Sequence, residues 1–253
     1  MIKPYLSVII PCYNEVQNLK RGVLKSLKTY LSKQKFTWEV IISDDGSTDE
    51  SVELIEKQLP SLNGFQLLKN PHGGKPSALF YGIKKASGEL VLFTDMDQST
   101  PIEELDKLLV FAGSNYGAII GSRGLMRKNF PLYRRIGSIV FVAIRKAFIL
   151  AEISDTQCGF KLFKKDVIAK SFPKLQFFQK NKRLSGWQVT SYDVELLHII
   201  KKMGYSIKEV VVVWEDRDVS KNKGGGLVRY VRESLEMLWQ ITKVKFNDIR
   251  GKY

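Results

Sequence analysis

Asp95 and Asp97, in Leu92-Phe93-Thr94-Asp95-Met96-Asp97, close a strongly apolar run. A carboxylate at the end of a buried strand is costly unless positive charge lies on it. Side-chain alternation along a strand would turn both aspartates the same way. Such a pair suits a hard divalent cation, which also takes phosphate oxygens. Three further polar clusters carry chemistry: Pro11-Cys-Tyr-Asn-Glu15, Asp44-Asp-Gly-Ser-Thr-Asp49 and His72-Gly-Gly-Lys75. Asp44 or Asp45 can accept from a nucleobase N–H or a sugar hydroxyl. Lys75, after two glycines at a helix start, can bring an ammonium to a diphosphate. Neither the Walker A pattern nor the G-x-G-x-x-G dinucleotide pattern occurs, which argues against P-loop NTPases and dinucleotide-binding dehydrogenases.

These clusters punctuate alternating strands and helices. Residues 5–11, 38–43, 65–68, 89–94 and 117–121 read as strands. Helical periodicity covers 15–31 with Asn14 as its cap, 50–59 capped by Ser47 or Thr48, 75–86 and 102–112. Repeated βαβ units predict an α/β fold with a mostly parallel sheet and right-handed crossovers. All four polar clusters then fall at the carboxyl edge of that sheet, where such sheets bind ligands. Further on, the pattern predicts an amphipathic helix or helix pair over 131–153 and a turn with a short strand over 155–163. A basic, aromatic loop over 172–191 follows, then a helix over 192–203, a strand over 206–213 and an amphipathic helix over 227–246. Residues 1–222 read as one catalytic domain and 223–253 as a C-terminal helical extension.

Of the 253 residues, 40 are Lys or Arg and 26 Asp or Glu, a net charge of +14. Residues 122–190 hold 15 of the basic and 3 of the acidic side chains, so +12 of the total lies there. That points to an anionic partner such as a phosphorylated substrate or an anionic membrane face. Phe172, Phe177, Phe178 and Trp187 flank basic residues, but they read as core or lipid-facing groups, not stacking platforms, and no nucleic-acid partner is expected. Cys12 and Cys158 have no metal-ligand spacing and form no disulfide framework, which favours a reducing compartment. The N-terminus shows no signal-peptide core, and no apolar stretch reaches transmembrane length.

In order and wording, the four clusters resemble the family 2 glycosyltransferases of GT-A fold, the nucleotide-diphospho-sugar transferases. The likeness continues through Gly121-Ser-Arg123, Asp155-Thr-Gln-Cys-Gly-Phe-Lys161, Tyr192-Asp-Val-Glu-Leu-Leu197 and Glu209-Val-Val-Val-Val-Trp214. Those later segments are similar to the dolichyl- or polyprenyl-phosphate β-glucosyltransferases and the polyprenyl-phosphate mannosyltransferases. The resemblance implies a nucleobase pocket lined by Pro11, Tyr13 and Glu15, with Asp44 or Asp45 on the base and Lys75 in the nucleotide site. It implies Mg²⁺ or Mn²⁺ on Asp95 and Asp97. It further implies donor and acceptor phosphates on Arg123 and on Arg134 or Arg135, with Asp193 or Glu195 facing the sugar. Some mannosyl relatives place a Gln metal ligand two positions after the second aspartate; here Ser99 stands there and Gln98 one position earlier.

The implied activity is inverting transfer of a hexose, with UDP-glucose the favoured donor, to a dolichyl or polyprenyl phosphate. The alternatives are transfer to a sugar hydroxyl of a polysaccharide or glycolipid, and a catalytically silent nucleotide-sugar-binding protein. Ile136, Ile139, Val140 and Phe148 mix with Arg134, Arg135, Arg145 and Lys146, as in an interfacial helix. Leu227, Val231, Leu235, Leu238, Trp239 and Ile241 repeat that mixture beside Arg229, Arg232, Lys243 and Lys245. The expected location is peripheral, at the cytoplasmic face of a membrane.

Overall fold

The computed structural model describes residues 3–124, 146, 149–179, 192–217 and 227–253. Seven strands form one sheet: β1 (Leu6–Cys12), β2 (Trp38–Asp44), β3 (Phe65–Lys69), β4 (Leu90–Phe93), β5 (Tyr116–Ser122), β6 (Lys161–Lys164) and β7 (Ser206–Val211). Their spatial order is β3-β2-β1-β4-β6-β5-β7. Strands β1 to β4 pair in parallel, as do β5 and β7. Only β6 is antiparallel, lying between β4 and β5. Its reversal matters for the site. Lys161, its first residue, pairs with Phe93, the last of β4. The segment before β6 therefore arrives at the same sheet edge as the carboxyl ends of the other six strands.

Alternation along β1 splits the core in two. Leu6, Val8 and Ile10 face one apolar layer and Ile9 the other, and all four are fully buried. The first layer is closed by helix α2 (Val23–Leu31), helix α3 (Ser51–Gln58) and α5 (Leu105–Leu109). The second is closed by α4 (Lys75–Lys85), α6 (Lys165–Ser171) and α8 (Tyr192–Lys202). Each buried Leu or Ile is worth about 1.5–3 kcal/mol against exposure, so these faces fix the register of the strands.

Several expected boundaries move. The helix predicted over 15–31 is two helices, α1 (Val16–Lys20) and α2, because Gly22 at φ 79° breaks the first and precedes the second. Asn14 does not cap α1. It takes a left-handed conformation (φ 57°), and its Oδ1 accepts from the Thr48 and Asp49 amides at 2.8 and 3.3 Å. Ser47 and Thr48 do not cap α3 either, because that helix begins at Ser51, whose amide donates to Asp49 Oδ1. The helix predicted over 102–112 shortens to a 3-10 turn, Ile102–Glu104, followed by α5. The segment predicted as a loop over 172–191 starts with a 3-10 turn, Phe172–Lys174, and a single helical turn α7 (Gln176–Gln179). Most of the helix predicted over 131–153 lies outside the described residues, as do Arg134, Arg135 and Trp187.

The C-terminal helix α9 (Leu227–Ile249) packs through Ile241 and Val244 into the second layer, beside α8. Leu235, Trp239, Phe246 and Ile249 recur at near-helical spacing on its outer side and are exposed. Ile241, expected on the same apolar face as Leu235, is instead buried against the domain. No helix among the described residues is long and apolar enough to cross a membrane.

Candidate active site

At the carboxyl edge the first two loops are laced together. The Asn14 amide donates to Ser47 Oγ at 3.0 Å and the Glu15 amide to Ser51 Oγ at 2.7 Å. Asp44 is buried and closes its own loop, accepting from the Gly46 and Ser47 amides and from Ser47 Oγ. Asp45, equally buried, reaches across to the next loop. Its carboxylate accepts from the Gly73 and Gly74 amides, both at 2.9 Å, and lies 2.9 Å from His72 Nδ1. The two aspartates thus play different parts. Asp44 shapes one loop, and Asp45 ties it to the loop that delivers Lys75. Tyr13 stacks on His72, ring centroids 4.7 Å apart. Pro11 lies on β1 beside them, and Glu15 accepts from Asn18 Nδ2 at 2.5 Å.

The second group of charges surrounds Asp95. Strand β4 ends at Phe93, so Asp95 and Asp97 sit in a turn and not on the strand. Strand alternation therefore does not set their directions. The turn is held by the Gln98 amide on the Asp95 carbonyl, with Gln98 at φ 51° and Met96 buried beneath. Asp97 Oδ1 accepts from the Ser99 amide at 2.9 Å. Gln98 points inward, donating to Thr94 Oγ1 and to the Asp95 carbonyl. Ser99 Oγ accepts from the Arg217 amide. Neither side chain is arranged as a third metal ligand.

Lys75 Nζ lies 2.5 Å from Asp95 Oδ1, with both side chains about 40% exposed (42% and 38%). Burial alone would raise the Asp95 carboxyl, but Lys75, with Lys161 and Arg123 behind it, brings it below the usual carboxylate range. Burial likewise opposes the Lys75 ammonium, and Asp95 outweighs it and raises its pKa. Gly159 closes the other side of Asp95. A Cβ at that position would lie 2.0 Å from Asp95 Oδ2.

Two more ion pairs back this one. Lys161, almost fully buried, reaches Asp193 Oδ1 at 2.5 Å and donates to the Cys158 carbonyl. Arg123 grips Asp155 with two guanidinium nitrogens at 2.7 and 2.8 Å, and its ring neighbour is Trp214. Asp155 is itself placed by Glu209, whose carboxylate accepts from the Ser154 and Asp155 amides. Three cations, Lys75, Lys161 and Arg123, are thus matched by Asp95, Asp193 and Asp155.

The structure gathers Asp95, Lys75, Asp193 and Arg123 into one charge network and does not bring Glu195 into it. Two residues along a helix from Asp193, Glu195 turns to the opposite side. It accepts from the Gln176 amide at 3.0 Å and from the Tyr253 hydroxyl at 2.7 Å. Burial pushes its carboxyl above the usual range, against those bonds and Lys243, which lower it. A carboxyl raised on folding contributes stability below its unfolded value and loses it as pH rises through the folded value. Glu195→Gln keeps an acceptor for both donors. Its melting temperature is expected to fall less than the wild type's between about pH 5 and pH 7, with hexosyl transfer within about twofold of wild type. A large loss of transfer in this variant would return Glu195 to the site.

Lys161, Gly159 and His72 are the site residues that residue-type reasoning passed over. Lys161 and Gly159 stood in the Asp155–Lys161 run, where apolar neighbours and the lack of a charge pattern hid their roles. His72 gains its meaning from Tyr13, which lies in another loop. Cys12 and Cys158 are free and buried, and burial raises both thiols, so they pack and do not react.

Asp95 and Asp97 supply hard oxygen donors. Among the described residues no group of three or more His, Cys, Asp or Glu side chains could hold a metal ion. That donor set fits Mg²⁺ or Mn²⁺ held by one or two carboxylates plus substrate phosphates, and does not fit an all-protein cage.

Comparison with known proteins shows the family and the fold. The family described as glycosyl transferase family 2 matches residues 7–172. A dolichyl-phosphate beta-glucosyltransferase of Trichomonas vaginalis is 32% identical over 92% of this chain and 72% of its own length. The corresponding Dictyostelium discoideum protein is 31% identical over 98% of this chain and 76% of its own. The glucosyl-3-phosphoglycerate synthase of Mycobacterium tuberculosis, solved with Mn²⁺ and UDP-glucose, superposes with a TM-score of 0.62 at 17% identity, covering 95% and 79% of the two chains.

Proposed function

This chain belongs to glycosyl transferase family 2 and is a hexosyltransferase of GT-A architecture, and from that premise we propose that it transfers glucose from UDP-glucose to a dolichyl or polyprenyl phosphate, with inversion. The observation that carries the choice of acceptor is the state of the two carboxylates on α8. Asp193 is tied to the buried Lys161, and Glu195 is spent on Gln176 and Tyr253. A hydroxyl acceptor needs a general base within reach of its proton. A phosphomonoester does not, because its second pKa is about 6 and it is largely dianionic at neutral pH.

The chain's own residues then divide the work. Tyr13 and His72 offer a stacked surface to the nucleobase, with Pro11, Glu15 and the Asp44–Asp45 loop around it. Asp95 and Asp97 would hold Mg²⁺ or Mn²⁺, which supplies a Lewis acid for the leaving diphosphate. Lys75 and Arg123 add positive charge on the same side, where it is worth most as the diphosphate departs. Asp193, kept in place by Lys161, is set to bond a sugar hydroxyl. Arg134 and Arg135, outside the described residues, remain the proposed ligands of the acceptor phosphate. Donor and acceptor are both anionic, so a site that joins them needs this concentration of cations.

The exposed stripe of Leu235, Trp239, Phe246 and Ile249, with Arg250 over the Phe246 ring, supports peripheral binding at the cytoplasmic face of an anionic membrane. In this reading residues 1–222 do the chemistry and the 223–253 extension serves that contact.

The test is transfer of radiolabelled sugar to a short polyprenyl phosphate, offered UDP-glucose, GDP-mannose or UDP-N-acetylglucosamine with Mg²⁺ or Mn²⁺. Lipid-extractable label from UDP-glucose alone, absent with Asp97→Ala, is the expected outcome. Label on a free sugar hydroxyl, with none on the phosphate lipid, would reject the acceptor assignment.

A further inference from the structure

The Lys75–Asp95 pair places a lysine at a helix end that by itself disfavours a cation. Lys75 is the first residue of α4, an eleven-residue helix with no acidic residue in its first turn. The helix dipole disfavours a cation there. The pair is also too exposed to be explained by stability, since half-exposed ion pairs contribute little. Its two companions are different. Lys161 is 2% exposed and Arg123 13%, and Asp155, the partner of Arg123, also accepts from the Gln157 amide. Lys75, at 42% exposed, is the least enclosed of the three cations.

Its ammonium lies 2.5 Å from an oxygen of the carboxylate assigned to the metal. A dication cannot share that oxygen with an ammonium at contact distance without strong repulsion. We propose that Lys75 competes with the divalent cation for Asp95, so that the protein takes up the metal together with the nucleotide diphosphate and only weakly alone. The diphosphate resolves the conflict by offering the displaced ammonium a new anion and the metal its missing oxygens. Lys75 thereby couples metal binding to donor binding. The inference rests on reading Asp95 as a metal-binding carboxylate.

The experiment measures Mn²⁺ binding by electron paramagnetic resonance, with and without UDP, for wild type, Lys75→Met, Lys75→Gln and Lys75→Arg. Circular dichroism melting of each variant establishes that it is folded. Without nucleotide, Lys75→Met and Lys75→Gln are expected to bind Mn²⁺ about tenfold more tightly than wild type, a value already discounted for the pair's exposure. Lys75→Arg keeps the charge and should match wild type. Adding UDP should tighten Mn²⁺ binding by a larger factor in wild type than in the neutral variants. Equal Mn²⁺ affinity of wild type and both neutral variants in the absence of UDP would overturn the competition. Failure of wild type to bind Mn²⁺ even with UDP would instead overturn the metal site itself, and the competition with it.

Discussion

Gly159→Ala is expected to lower hexosyl transfer by on the order of 100-fold while leaving the protein folded. The added methyl would stand 2.0 Å from Asp95 Oδ2, 2.8 Å from its Cγ and 3.1 Å from Oδ1. No such contact survives, so the carboxylate or the loop must move by an ångström or more. Asp95 is the softer of the two, because its side chain is 38% exposed. The Gly159 backbone, by contrast, lies between the Cys158 carbonyl, which accepts from Lys161, and Phe160, whose carbonyl accepts from the Gly121 amide. The displacement therefore falls on the carboxylate proposed to bind the metal and on its contact with Lys75. Misplacement on that scale costs about two orders of magnitude in rate even where no catalytic group is removed. Kinetics on the nucleotide-sugar donor, with a thermal melt on the same preparation, make the comparison. Wild-type turnover by a folded Gly159→Ala protein would show that Asp95 is not held where the reaction needs it.

Lys161→Met is expected to cost about 3–5 kcal/mol of folding stability, as when one member of a buried ion pair is removed. The ammonium is 2% exposed and its partner Asp193 is 16% exposed, so the lower end of that range is the better expectation. Without Lys161, Asp193 is left with a charge its surroundings no longer balance, and the Cys158 carbonyl loses its donor. The double variant Lys161→Met/Asp193→Leu should recover most of the stability, because apolar replacements of a buried pair are often neutral. It should not recover transfer, because Asp193, the proposed partner of a sugar hydroxyl, is then missing. Urea unfolding of both single variants and the double variant gives the coupling energy directly. Single-variant losses below about 1 kcal/mol, adding without coupling, would mean that the pair is a surface contact only.

How much of this is readable in the sequence differs by element. Strands β1 to β5 and β7 are legible because their apolar runs are bounded by polar loops; burial on both faces adds to this in β1, β2, β4 and β5, whereas β3 and β7 are the half-exposed edge strands. Helix breaks are less legible. Gly22 divides a stretch whose apolar spacing reads as one helix, and the break depends on a left-handed φ that spacing does not encode. Asn14 has the residue type and position of a cap for the helix that follows it, but its side chain serves the amides of Thr48 and Asp49, thirty-four and thirty-five residues away. Asp95 and Asp97 stand out for a reason the structure modifies. They lie in a turn just past the strand, so the alternation expected of them does not apply.

The order and residue types of the loops carried the resemblance that implied the fold family and the reaction class, and βαβ connectivity by itself delivers the carboxyl-end loops to one edge whatever the packing details. What tertiary structure alone decided is which charge meets which. Lys75 meets Asp95, Lys161 meets Asp193 and Arg123 meets Asp155, across gaps of 20, 32 and 32 residues. The last two pairings exist because β6 runs backwards into the sheet, which brings residues 155–161 to the edge that β4 ends on. Glu195 was separated from Asp193 by the turn of a helix, which places residues two apart on different faces. Local patterning carries period and composition. Pairing between distant charges depends on strand direction and packing, and those are settled only when the chain closes on itself.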